Sequence, residues 1–128
     1  MSKYTRVNLN DVEDSAAKHG FRDTQESRFP REPLELDGSG LAHHVVKAGQ
    51  RQAFAHKHQT AEEVHYVLSG SGRMRVDDEE VEVGAGDFIR VSPEATRAFE
   101  ASDEGLEYLV FSPRFEGDAE IVQSFWGD

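Results

Sequence analysis

An all-β domain, built as an antiparallel sandwich or barrel, is the fold class this sequence predicts. Its 128 residues suit one domain with a modest core. From Leu41 onward, short segments rich in β-branched and aromatic residues recur. Turns rich in glycine, serine and acidic residues separate them at close intervals, as in an antiparallel sandwich or barrel.

The first forty residues differ in character. Tyr4 to Leu9 alternates Tyr4, Arg6 and Asn8 with Thr5, Val7 and Leu9, which predicts a short strand. Asn10 or Asp11 is placed to cap a short helix through Ala16, Ala17 and Lys18, with Gly20 as its stop. Residues 22–40 are polar and broken by Pro30, Pro33, Gly38 and Gly40, so an extended arm or wrapping loop is expected. The organisation that follows is an N-terminal arm over 1–40, a barrel over 41–111 and a tail over 112–128.

Within the barrel, Leu41 to Lys47 is the first strand and Phe54 to His58 the next. Val64 to Leu68 follows and stops at Ser69-Gly70-Ser71-Gly72. Arg73 to Val76 and Val81 to Val83 flank the acidic run Asp77-Asp78-Glu79-Glu80, which reads as the solvated turn of a hairpin. Phe88 to Val91 comes after the turn Gly84-Ala85-Gly86-Asp87. Arg97 to Ala101 and Leu106 to Phe111 complete the set, separated by Ser102-Asp103-Glu104-Gly105. Phe54, Tyr66, Phe88, Phe99, Tyr108 and Phe111 are expected in the core, and Arg73, Arg75 and Arg90 on the outer face. The tail carries Ile121, Val122, Phe125 and Trp126, expected to pack on the barrel or on a second subunit.

Composition removes several function classes. A formal net charge of -11 argues against a nucleic-acid partner. The absence of cysteine removes disulfide frameworks and thiolate zinc sites. No apolar run is long enough to cross a membrane, and the N-terminal residues lack a signal-peptide core, which sets a cytoplasmic expectation. There is no Gly-x-Ser-x-Gly and no phosphate loop leading into a helix.

The chemistry concentrates at His56-Lys57-His58 and Glu63. On a strand the period of two turns His56 and His58 to one face, and a carboxylate on the next strand reaches the same point. Two imidazoles and a carboxylate suit one divalent metal ion such as Mn, Fe, Ni or Zn, with positions left open. Residues 63, 65 and 67 share a face, so His65 lies nearby as a pocket-lining residue. His43 and His44 are adjacent, so one faces inward, and each reads as an ordinary strand residue. His19 is expected at the surface.

The pattern Gly49, His56, His58, Glu63, Gly70 resembles the first motif of the cupin superfamily, and Gly84-Ala85-Gly86-Asp87-Phe88 resembles the turn that opens its second motif. The resemblance covers Leu41 to Phe111. It implies an antiparallel β-barrel of jelly-roll type, with the N-terminal extension and its short helix outside it, a metal site on His56, His58 and Glu63, and a homodimer. Within the second motif this chain has Ser92, Glu94 and Ala101 where the family places proline, glycine and asparagine. It has Arg97 where the family places a fourth ligand, a histidine.

Arginine has no lone pair for a metal, and a divalent ion about 5 Å from it would be repelled by several kcal/mol at an effective dielectric of about 20. Three arrangements stay open. His56, His58 and Glu63 hold a metal while Arg97 binds an anionic ligand; or His65 joins the set; or no metal binds and Glu63 pairs with Arg97 inside the barrel. Function divides accordingly. One class is a barrel that binds a small anionic molecule through Arg97 and the histidines. The other is a metal-dependent dioxygenase, isomerase or lyase acting on a small acid or phenol. A metal-free enzyme with His56 or His58 as general base lies between them.

Overall fold

The computed structural model describes residues 3–127. One curled antiparallel sheet of eight strands makes up the body of the protein. The strands are β1 (Gln25–Arg28), β2 (Ser39–Val46), β3 (Ala55–His58), β4 (Glu63–Val76), β5 (Glu79–Gly84), β6 (Phe88–Val91), β7 (Arg97–Pro113) and β8 (Ala119–Val122). Two short helices, α1 (Ser15–Lys18) and α2 (Arg31–Leu34), lie in the N-terminal segment. The neighbours run β1-β2-β7-β3-β8, while β4 pairs with β5, β6 and β7.

The long strands β4 and β7 form the spine. They pair from Val64↔Phe111 to Val76↔Arg97, with register shifts at Val67/Ser69 and Gly70/Gly72. Each shift bends the ribbon and lets one strand serve both halves of the curl. Gly70 sits at φ +81°, and a Cβ there would come within 2.0 Å of the Gly105 carbonyl oxygen. Only glycine allows that approach of the two backbones. The sequence reading split each spine strand in two, because Ser69 to Gly72 and Ser102 to Gly105 look like turns. The structure bends the strands there without ending them.

Inward side chains of β2, β4 and β7 build the core, with Val46, Val67, Met74, Phe99 and Leu106 at 2 % exposure or less. Phe88 and Phe111, expected in the core, are instead 72 % and 44 % exposed. Phe88 pairs with Tyr66 across β4 and β6, ring centroids 4.4 Å apart, on the outer side of the sheet. Of the three arginines placed outside, Arg73 and Arg90 are exposed, whereas Arg75 is half-buried.

The N-terminal segment departs most from expectation. Tyr4 to Asn8 forms no strand, and Leu9–Asp11 is a 3-10 turn capped by the Asn8 side chain. Asp14, not Asn10 or Asp11, caps α1 by accepting from the Ala16 N–H. The same Asp14 oxygen accepts from the Ser27 N–H at 2.9 Å and so ties α1 to β1. Within 22–40, read as loop, Gln25–Arg28 adds a strand to the sheet edge in the register Gln25↔Val46 to Arg28↔His43.

In the tail, β8 pairs with β3. Arg51 and Arg75 lie over the Trp126 and Phe125 rings at 4.9 and 4.3 Å, against this chain's own barrel. No helix among the described residues is long and apolar enough to cross a membrane.

Candidate functional site

A cavity of about 490 Å³ opens inside the curl. Strand alternation brings His56 and His58 of β3, Glu63 and His65 of β4, and Arg97 of β7 to its wall. His56 and Arg97 are direct register partners, the contact that joins β3 to β7. Glu63 opens β4 with its carboxylate buried at 6 % exposure.

The carboxylate is gripped from several sides. His56 Nε2 lies 3.1 Å from Oε1, and His58 Nε2 3.0 Å from Oε2. His65 Nε2 is 3.6 Å and Arg97 Nη1 3.5 Å from Oε1. Burial pushes the Glu63 carboxyl up, but hydrogen bonds from His56 and His58 outweigh it and hold it well below the usual carboxylate range. The hydrogen bond to Glu63 raises His58 against the opposing effect of burial. Burial pushes His65 down to about 4, which keeps that ring neutral.

Arg97 is 1 % exposed. Its Nη2 donates to the Ser92 carbonyl at 2.7 Å. Its Nε and Nη1 have no hydrogen-bond acceptor among the described residues. Burial lowers its pKa, and Glu63 opposes that effect.

One atom from each of His56, His58 and Glu63 lies within 4.8 Å of the others. Two imidazole nitrogens and a carboxylate oxygen gathered that closely are the donor types that hold a divalent ion. The donor set therefore fits a divalent first-row metal. His65, held neutral on the same face, has the chemistry of a ligand but stands farther from the carboxylate.

Sequence reading missed Asp118. It precedes β8, and its carboxylate accepts from the Thr60 and Ala61 N–H groups, each at 2.9 Å. Its Oδ2 also lies 3.1 Å from His58 Nδ1. Burial raises its carboxyl, and the backbone hydrogen bonds of Ala61 and Thr60 more than reverse that. An aspartate next to alanine in a tail gives no periodic signal that could reveal this role. His44, which the sequence presents as an ordinary strand residue, lines the cavity, while its neighbour His43 turns to Glu107 at 2.7 Å.

The pattern of the Cupin domain family matches residues 42–112. An uncharacterized protein of Methanocaldococcus jannaschii is 40 % identical over 86 residues, 65 % of this chain and 68 % of that protein. Among solved structures, a cupin protein from Bacteroides fragilis superposes with a TM-score of 0.73 at 23 % identity, covering 91 % of this chain and 89 % of its own. The polyketide cyclase RemF of Streptomyces resistomycificus gives 0.74 at 23 %, covering 98 % and 87 %. The nucleoside dehydratase Pac13 of Streptomyces gives 0.71 at 18 %, covering 96 % and 92 %. At these identities the structures share a fold with this chain, whereas the match over 42–112 runs from β2 to the end of β7 and carries both motifs: the chain belongs to the cupin family.

Proposed function

We propose that this cupin binds a small anionic molecule in its barrel, at a divalent metal held by His56, His58 and Glu63, with Arg97 facing the anion. The observation that carries the reading is the proton count at His58. Its Nδ1 faces the Asp118 carboxylate and its Nε2 faces the Glu63 carboxylate. A neutral imidazole has one N–H and can satisfy one of the two. Either the ring is an imidazolium between two carboxylates, or a cation stands between Nε2 and Glu63. A carboxylate on the far nitrogen of a ligating histidine is the usual support for a metal-bound imidazole.

A bound ion would supply Lewis acidity to an oxygen of the ligand. The chain's own residues would orient that ligand: Arg97 through its unpartnered N–H groups, Asp118 by fixing the His58 ring. The catalytic form of this reading is a dioxygenase, isomerase or lyase acting on a small acid or phenol. Proteins of similar structure include a polyketide cyclase, a sugar phosphate isomerase and a nucleoside dehydratase, so the fold does not choose among reactions.

Calorimetric titration of Mn²⁺ into chelator-stripped, tag-free protein, in buffers of different ionisation enthalpy, tests the metal. Binding with proton release is expected, because the ion displaces the second His58 proton. No binding of Mn, Fe, Ni or Zn would leave the second reading, in which Glu63 and Arg97 form the ion pair of a metal-free site. The 3.5 Å approach of Arg97 to Glu63 favours that alternative.

We also propose a homodimer, supported by the exposure of Phe88 and Phe111 on the outer side of the sheet.

A further inference from the structure

The cavity has a second set of polar groups, contributed by the N-terminal segment and β2. Ser27 of β1 and His44 of β2 are register partners, and Ser27 Oγ lies 2.9 Å from His44 Nδ1. Gln25, on the same face of β1, places its Nε2 3.5 Å from Ser27 Oγ. Its Oε1 accepts from the Ala53 N–H at 2.9 Å. Gln25 and Ser27 are 5 % and 6 % exposed, so their polar groups rely mainly on these neighbours for partners.

One arrangement of hydrogens gives every contact in this set a donor and an acceptor. The Ala53 N–H selects the amide oxygen of Gln25 and so turns the amide nitrogen toward Ser27. Ser27 Oγ accepts that N–H. Its own hydrogen then has one acceptor among the described residues, His44 Nδ1. A neutral imidazole that accepts at Nδ1 carries its proton on Nε2. No described residue accepts from His44 Nε2, and the ring lines the cavity. Packing on Phe29 and Tyr108, at centroid distances of 5.7 and 5.1 Å, holds the ring in place, and burial pushes its pKa down to about 3.

The surroundings narrow what would accept that hydrogen. The Tyr108 ring packs against both His44 and His65, at 5.1 and 5.9 Å, so an aromatic face adjoins this donor on the side of the His–Glu–Arg cluster. Phe21 and Phe54, edge to face at 5.8 Å, add further ring surface to the same wall. A sugar would leave hydroxyls against those rings without partners, at a cost for each. A flat apolar ring would not.

We propose that His44 is a ligand-binding residue whose Nε2–H donates to an uncharged oxygen, carbonyl or hydroxyl, on an aromatic acid, with Gln25 and Ser27 as the positioning residues that set its tautomer. The proposal rests on the reading above, in which the cluster at Glu63 and Arg97 receives the acid group. It adds a specificity element supplied mainly by residues ahead of the family-matching segment 42–112.

The test combines binding and spectroscopy on the Mn²⁺-loaded full chain, and on the chain as purified if Mn²⁺ does not bind. Calorimetry compares benzoate with 3- and 4-hydroxybenzoate and 4-formylbenzoate. The wild type is expected to prefer at least one oxygen-bearing probe by about tenfold, which is about 1.4 kcal/mol. His44→Phe keeps the ring packing and removes the donor, so the preference is expected to collapse toward onefold. Imidazole ¹⁵N shifts of His44, read on diamagnetic protein without Mn²⁺, are expected to show the Nε2–H tautomer in the wild type and a mixture in Ser27→Ala. A preference that survives His44→Phe, or an Nδ1–H tautomer in the wild type, would overturn the role of His44. Failure of benzoate and all its analogues to bind would overturn the aromatic-acid class. Failure of the acid end alone shows separately, as probe affinities unchanged by Arg97→Gln.

Discussion

The two polar walls of the cavity are built by opposite means. The wall at Glu63 concentrates charge: a buried carboxylate, a buried guanidinium, His58 and, behind it, Asp118. The wall at His44 carries no formal charge and is joined by hydrogen bonds from Gln25 through Ser27 to His44. The first lies mostly within the family-matching segment 42–112, the second mostly ahead of it. Under the two proposals above, charge at the shared wall would set what kind of head group is attracted, and neutral donors on the added wall would select among molecules that carry it. Buried charges cost far more to leave unpaired than neutral donors do, so the two walls should also break differently.

The largest break is expected at the charged wall. Glu63→Gln leaves Arg97 buried without its counter-charge, and urea unfolding of chelator-treated protein should show a loss of about 3–5 kcal/mol. A loss under about 1 kcal/mol would mean that the guanidinium finds water. Metal removal comes next. If an ion is held at 100 times its dissociation constant, chelator should lower stability by about 2.7 kcal/mol, seen as a drop in melting temperature that His56→Ala/His58→Ala does not show. Asp118→Asn should weaken Mn²⁺ binding by about 10- to 100-fold, the usual effect of losing the partner of a ligating histidine. An unchanged titration would separate Asp118 from the metal reading.

The neutral wall should respond to pH. His44 ionises near 6.5 when unfolded and near 3 when folded, so below pH 6.5 the unfolded chain binds the extra proton. Its contribution to stability is whole above pH 6.5 and is lost as pH falls toward 3. Between pH 7 and 5 the wild type should lose about 1–2 kcal/mol more than His44→Gln does, measured by urea unfolding at each pH. Equal losses would mean that His44 takes up a proton within the folded cavity. The smallest effect on stability is expected outside both walls. Phe88→Asp should leave folding nearly intact, yet convert the proposed dimer to monomer by light scattering; a wild type already monomeric at micromolar concentration would remove the dimer.

The same contrast explains what the sequence revealed. His56, His58, Glu63 and His65 were legible because strand period alone assigns their faces. Arg97 was legible through its place in the second cupin motif, and the register partner His56 shows why that place faces inward. Strand β1 was not legible: Gln-Glu-Ser-Arg has no apolar alternation, and its inward residues Gln25 and Ser27 are polar and line the cavity. Phe88 misled because an aromatic on a strand reads as core, whereas here the β4–β6 pairing turns it outward. Asp118 was invisible because its partners lie nearly sixty residues away.

That separation has a consequence for the order in which the protein is made. His58, Thr60 and Ala61 leave the ribosome long before the carboxylate that organises them, and domains settle as units once their chain is available. Until residue 118 emerges, the His58 ring lacks the partner on its Nδ1 side and the turn that leads into Glu63 lacks its clasp. The site is therefore a late product of synthesis, and a nascent chain arrested before Asp118 is expected to compete poorly for metal.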